Sequence, residues 1–443
     1  MSNEKIAVQN SISYALKQGA DDCEIYWGRR SSASTQMRAG EISDDNASDR
    51  SGYSVRVIKN GVSGFSYGVA LSEESLRRSV DDALLSCGFL EKNDHYHFTA
   101  PGKAYPEIEQ HSAPFCGFSE KKEYLDRMFE AAQCDPRISK VERTAVSETM
   151  GSVRIMNSLG LDLYRESSYV SASATVVSSE GEEEYIGSEF KAAPNFSEID
   201  YDLLGKKAAE DGLDKLGASP IDTAELPVLF CPDAVIDLLG ILLPSFLGDH
   251  VEKGMSRFKD YLGEKIAADG IYLYDDALMA ESVLKIPFDD EGQPCGKNCL
   301  IRDGVANMFL YNNEYASRAN TESTGNGFCS SHKSLPSVGL SSFYLQKGDR
   351  SLDSVVGSLK KGLWVKDLMG LHMADAVSGN FSLGAVGKLI ENGEVTKGVR
   401  GVMVAGNLFD LLKDVEALCD DFTVFGDVGA PSFLINSLKI SGK

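Results

Sequence analysis

No apolar run in the 443-residue sequence approaches the roughly 20 residues that span a bilayer. The most hydrophobic window, Val235 to Leu247, is interrupted by Asp237 and Pro244. The chain does not open on an apolar stretch of signal-peptide length. Its first apolar residues, Ile6, Ile12, Ala15 and Leu16, recur with helical period instead. A membrane anchor and export are therefore not expected, and the expected compartment is the cytoplasm. Nine cysteines stand singly, with no CxxC pair and none of the dense spacing of a disulfide scaffold. Reduced thiols follow. Cys295 and Cys299 are close, but no histidine or second cysteine pair stands beside them to complete a metal site.

Positive charge is also in short supply, with 44 Lys and Arg against 66 Asp and Glu, a formal net charge of −22. That field repels phosphate backbones and anionic lipid, which argues against direct nucleic-acid or membrane binding and favours a basic or mixed-charge partner.

The motifs of common catalysis are missing as well. A zinc-protease helix needs two histidines one turn apart with a glutamate beside them. Of the six histidines, His95, His97, His111, His250, His332 and His372, only the first two are close. They lie in an irregular polar stretch with no third ligand nearby and are read as surface residues. There is no GxSxG elbow, and GNFSLG (379–384) has the wrong spacing for one. Lys388 follows Gly387, but Ser382 and Leu389 occupy positions where a phosphate loop requires glycine and a hydroxyl residue. No catalytic residue and no metal ligand can be named from these patterns.

What remains is the composition of a folded protein, 42% hydrophobic and 25% charged, with length for two or three domains. After the first helix, CEIYW (23–27) and YSVRVIK (53–59) read as strands, and Asn60-Gly61 suits a tight hairpin turn. Ser72 can cap a helix with Leu76, Val80, Ala83 and Leu84 on one stripe. Residues 91–118 read as a long surface connection, and 119–134 as a second amphipathic helix closed by Asp135-Pro136. Alternation resumes over 152–177, and a polar helix over 201–216 leads to the linker GASPIDTAELP. Beyond the strand PVLFC (227–231) and an apolar helix, turn signals separate short strands, as in a closed all-β assembly. The expected fold is α+β: a region over 1–220, divisible into 1–90 and 119–220, with an antiparallel sheet and helices, then a mostly-β, barrel-like domain over 221–443.

Three polar, glycine-rich segments of the last domain stand out: FDDEG (288–292), STGNG (323–327) and SGNFSLGAVG (378–387). Glycine and asparagine there can simply supply positive φ for hairpins. Small residues also let another backbone approach, as in a peptide groove.

In order along the chain, NSLG (157–160), SRFKDYLGEKI (256–266), PFDDEG (287–292), Asp303-Gly304, YASRANTESTGNG (315–327), DAVSGNFSLGAVGKLIENGEV (375–395), VAGNL (404–408) and the closing ISG resemble the TldD/PmbA family, also called modulators of DNA gyrase. The resemblance covers nearly the whole chain. It implies an N-terminal α+β region, a barrel-like C-terminal domain and a connection to proteolysis of peptides or unfolded proteins. The family's catalytic members carry HExxxH on the apolar helix after the strand matching PVLFC, here 233–248. Anchored on Gly248-Asp249, the register places Leu239, Gly240 and Pro244 where the first histidine, the glutamate and the second histidine would stand. No His or Glu occurs between Cys231 and Asp249. Cys419 falls near a further cysteine ligand of the catalytic members and is read as structural without the others.

The resemblance thus points to the PmbA (TldE) branch: a non-catalytic subunit with no cofactor of its own, completing the chamber of an HExxxH-bearing sister chain that holds zinc. A homodimer is the expected substitute when that partner is absent. Ser323, Gly325, Asn326, Gly327, Ser378, Gly379 and Asn380 are the expected peptide-binding residues, converging inside the barrel. Two other readings compete: an autonomous peptidase with an unrecognised site, and an acidic protein that modulates gyrase or its inhibitors without proteolysis.

Overall fold

Strand alternation and turn chemistry gather the first half of the chain into one sheet. The computed structural model describes residues 3–108 and 116–443, so His111 lies outside the described residues. After α1 (Asn3–Lys17), β1 (Asp22–Arg38), β2 (Glu41–Lys59) and β3 (Val62–Gly68) form a meander. Its second turn, Asn60-Gly61, has φ of 53° and 75°, the left-handed dihedrals that a two-residue hairpin turn requires. Ser72 caps α2 (Glu73–Ser86) by accepting from the Ser75 N–H. Leu76, Val80 and Ala83 then pack with Val8, Ile12 and Ala15 of α1 against Ile25, Val55 and Val57 of the sheet.

The second half of this region repeats the plan with α3 (Phe118–Ala132), β4 (Ile138–Asn157), β5 (Asp162–Glu180), β6 (Glu183–Ala193) and α4 (Tyr201–Leu213). All six strands share one antiparallel sheet in the order β3-β2-β1-β4-β5-β6, because β1 pairs with β4 along most of its length. The expected polar helix is more than that. α4 buries Leu204, Gly205, Ala208, Ala209 and Gly212, and its small residues let β6 approach until a Cβ on Gly187 would meet the Ala208 carbonyl at 2.3 Å. The connection after α2 also departs from a surface path: Phe98 and Thr99 are buried where the two halves of the molecule meet.

β7 (Ala224–Phe230) opens the second half and leads into α5 (Pro232–Leu242). β7 lies between strands Lys361–Met369 and Phe433–Ser441, with Asn380–Glu391 and Glu394–Asn407 beyond the former. The sheet closes into a five-strand barrel, because Glu394–Asn407 also pairs with Phe433–Ser441 through Met403↔Ser441 and Val404↔Ile440. A second sheet of short strands, among them Leu273–Asp276 and Phe343–Leu345, packs beside it. Alternation along β7 divides the packing. Val228 and Phe230 join α5 in the large core, while Leu229 enters a smaller cluster with Val355, Val356 and Cys419. No described helix is long and apolar enough to cross a membrane.

Candidate functional site

The helix where the family resemblance would place zinc is built for packing. α5 ends at Leu242, and Leu243–Phe246, with Pro244 in its first turn, tightens into a 3-10 turn. Leu239 is buried in the core beside Val235 and Leu242, whereas Gly240 faces open space. Neither position nor Pro244 carries a donor atom on its side chain. Cys419 is fully buried in the cluster on the opposite side of β7 from α5, and burial pushes its thiol up to about 12. A thiol in that setting stays protonated and behaves as a small apolar group. Among the described residues, no group of three or more His, Cys, Asp or Glu is placed to hold a metal ion. Leu239, Gly240 and Pro244 therefore do not fit a zinc ion at this helix.

FDDEG and STGNG, thirty-odd residues apart, are brought together at the junction between the two halves. Asp289 organises the contact: its carboxylate accepts from the backbone N–H groups of Glu291 (3.0 Å), Gln293 (2.8 Å) and Gly327 (2.8 Å). Asp290 donates its N–H to the Gly327 carbonyl (2.8 Å) and accepts at its carboxylate from the Cys329 N–H (2.8 Å). Glu291 accepts from the N–H of Asn313 at 2.7 Å. Burial drives the carboxyls of Asp289 and Glu291 upward, and their mutual repulsion adds to the rise of Glu291.

The N-terminal sheet grips this loop from the other side. Arg165 on β5 pairs with Asp290 at 2.8 Å and also donates to the Phe288 carbonyl. Arg56 on β2 is paired with Glu24 on β1, both almost wholly buried, and donates to the Asp290 carbonyl at 2.9 Å. The connection after α2 completes the grip. Tyr105 donates to the Gly292 carbonyl (2.9 Å), the Thr99 carbonyl accepts from Asn157 (2.8 Å), and its hydroxyl accepts from Asn313 (3.2 Å). His95 belongs to the same contact, with Nδ1 3.1 Å from the Ser317 hydroxyl, so it is not a free surface histidine.

The seven turn residues expected to touch peptide have unequal surroundings. Asn326 has no exposed surface. Its amide donates to Asp275 (2.7 Å) and the Gly339 carbonyl (2.9 Å) and accepts from Asn298 (3.1 Å) and Thr324 (2.7 Å). Burial pushes the Asp275 carboxyl up to about 6, against the lowering effect of the bonds from Asn326 and Ser341. Gly325 has φ 75° and lies so close to the Pro294 carbonyl that a Cβ would meet it at 2.3 Å, and a Cβ on Gly327 would meet Glu291 at 2.5 Å. Ser323 lines an open pocket together with Asn313 and Asn320. In the other turn, Gly379 has φ 77° and its N–H donates to the Asp375 carbonyl (2.7 Å), while Ser378 and Asn380 are exposed and bound to Asp375 and Asn407. The two turns share no hydrogen-bond partner among the described residues.

Sequence reasoning did not anticipate a cleft of about 670 Å³ on the face of the N-terminal sheet beneath the segments 284–286 and 329–333. It is assembled from strands and loops far apart in sequence, and no local window carries its signal.

Three consecutive segments match models of the PmbA/TldA metallopeptidase: domain 1 over residues 23–87, the central domain over 117–216 and the C-terminal domain over 223–442. The Escherichia coli O157:H7 protein named metalloprotease PmbA is 24% identical, with 98% of this chain and 96% of that one aligned. A metalloprotease TldD homologue of Buchnera aphidicola is 25% identical over 99% and 95% of the two chains. Among solved structures, TldE from Thermococcus kodakarensis superposes with a TM-score of 0.91 at 26% identity, covering 98% of this chain and 100% of that one. A Thermotoga maritima protein described as a modulator of a DNA gyrase gives 0.92 at 25% identity, covering 99% and 100%.

Proposed function

The chain belongs to the PmbA/TldD metallopeptidase family, and from that premise we propose that it is the non-catalytic, TldE-type subunit of a two-chain zinc protease. The observation that carries this reading is the helix after β7. Leu239 is committed to the core, Gly240 bears no side chain and Pro244 sits in a 3-10 turn, so neither ligand nor water-polarising base is at hand. On this reading the zinc and the chemistry belong to an HExxxH-bearing, TldD-like sister chain in the cytoplasm. This chain contributes walls of the substrate chamber. Ser323, Ser378 and Asn380 are the turn side chains that meet a peptide or unfolded polypeptide on this reading, which their position at a pocket or on the surface supports. The names of the solved TldE and of the TldD homologues among the relatives support the pairing.

The test is coexpression with such a sister chain, followed by light scattering and cleavage of an unstructured peptide. A complex of unlike chains whose activity exceeds that of either chain alone is the expected result. Cleavage by this chain alone, at the rate of the mixture, would instead identify an autonomous peptidase.

A further inference from the structure

We infer that the cleft on the N-terminal sheet binds acidic stretches of an extended polypeptide, which deepens the peptide-handling role proposed above and rests on it. The cleft inverts the charge of the molecule. Its lining holds six cations and one carboxylate, Glu166, in a chain with 44 basic and 66 acidic residues. Two of the cations are neutralised within the fold: Arg29 by Asp49 at 2.5 Å and Arg165 by Asp290. Four face the cleft without a carboxylate partner among the described residues. Arg30 donates only to the Tyr169 hydroxyl (3.3 Å), Lys333 lies 6.0 Å from the centre of the Tyr67 ring, and Arg50 and Lys285 are exposed with no side-chain partner. Unpaired cations concentrated in a concave site focus an attractive field on a short anionic ligand even when the net charge is negative.

The floor suits an extended backbone. Gly28 on β1 lies directly opposite Gly52 on β2, and Gly151 on β4 is opposite Arg30, so three positions of the floor carry no side chain between those of Val153, Arg30 and Arg50. His332 closes one wall over Gly52, and its Nε2 is buried with no hydrogen-bond partner. The volume falls in the usual range of about 300–1,000 Å³ for small-ligand sites, room for a few residues of peptide and too little for a duplex. Single-stranded nucleic acid is disfavoured because it needs aromatic faces for its bases. Of the tyrosines in the cleft, Tyr26 is buried and Tyr169 is held by Arg30.

Fluorescence anisotropy on the full chain tests this, using labelled ten-residue peptides of glutamate, of alternating glycine and serine, and of lysine, together with a ten-nucleotide oligothymidylate. The glutamate peptide should bind most tightly and weaken as salt rises. Arg50→Glu with Lys285→Glu should weaken it about tenfold or more. The same change of net charge at Lys397 and Lys413, exposed and outside the cleft lining, should alter it by less than about twofold. Circular dichroism confirms that each variant folds. Binding of the glycine–serine or lysine peptide with equal affinity overturns the acidic specificity and leaves the subunit role standing. Tighter binding of the oligothymidylate overturns the peptide assignment. An equal loss in the control variant overturns the location. If no peptide binds this chain, alone or with the sister chain, both the cleft and the peptide-handling role fall.

Discussion

Replacing Arg56 by methionine should cost the protein about 3–5 kcal/mol, the range for removing one partner of a buried ion pair. Arg56 and Glu24 are 2% and 1% exposed, and the guanidinium also bridges to the Asp290 carbonyl at 2.9 Å across the junction. Methionine nearly conserves the volume, so the cavity contribution is small. What is lost is the compensation of Glu24, left with only the Asn157 amide at 3.3 Å, and the partner of a buried carbonyl. The loss has a pH signature. Burial already raises the Glu24 carboxyl, and the Arg56 charge holds it down, so removing Arg56 raises it further. A carboxyl raised above its unfolded value contributes stability that is present at low pH and disappears as pH climbs through the folded value. The deficit of the variant should therefore be largest near pH 8 and shrink towards pH 5. Glu24→Leu combined with Arg56→Met should recover much of the loss, since the uncompensated charge is then gone. Urea unfolding followed by circular dichroism at the two pH values measures all of this. A deficit below about 1 kcal/mol at pH 8 would be no more than an exposed pair is worth. That result, or a deficit indifferent to pH, refutes the buried clamp.

Gly325→Ala combines a φ of 75° with a contact of 2.3 Å to the Pro294 carbonyl, so it should destabilise by at least about 1 kcal/mol in thermal unfolding; an unchanged midpoint would return that turn to an adaptable surface loop. Asp275 lies at about 6 in the fold against an ordinary 3.8, so its contribution is lost as pH rises through 6. Asp275→Asn cannot ionise, and its stability relative to the parent should rise by roughly 3 kcal/mol between pH 4 and pH 8; a flat difference contradicts the burial argument. Metal analysis of the chain purified alone should find zinc far below one equivalent, and a full equivalent held by residues of the C-terminal domain would overturn the subunit assignment.

The local features of the fold were legible because their causes are local. Asn60-Gly61 announced a hairpin and Ser72 a helix start, and each does what its dihedrals or hydroxyl dictate. Turn spacing pointed to a closed β assembly, although the parallel pairing of β7 with Lys361–Met369 could not be read from alternation. The site was less legible. FDDEG and STGNG were recognisable as unusual, but the partners of FDDEG on the N-terminal sheet, Arg56 and Arg165, lie more than a hundred residues away and come near only through the strand pairing of that sheet. Asn326 looked like a turn residue open to ligand, whereas its amide is engaged on every side within the protein. The basic cleft was hidden for a related reason. Its cations come from positions 29, 30, 50, 165, 285 and 333, and a net charge of −22 gives no hint that folding gathers them.

The subunit assignment is tested most directly by peptide cleavage in three preparations supplied with zinc: this chain, an HExxxH-bearing TldD-like sister chain, and the two coexpressed. The account predicts no cleavage by this chain alone, and cleavage by the pair that is abolished when the glutamate of the sister's motif is changed to glutamine. Cleavage by this chain alone, or by a pair whose sister motif has been disabled, would contradict it.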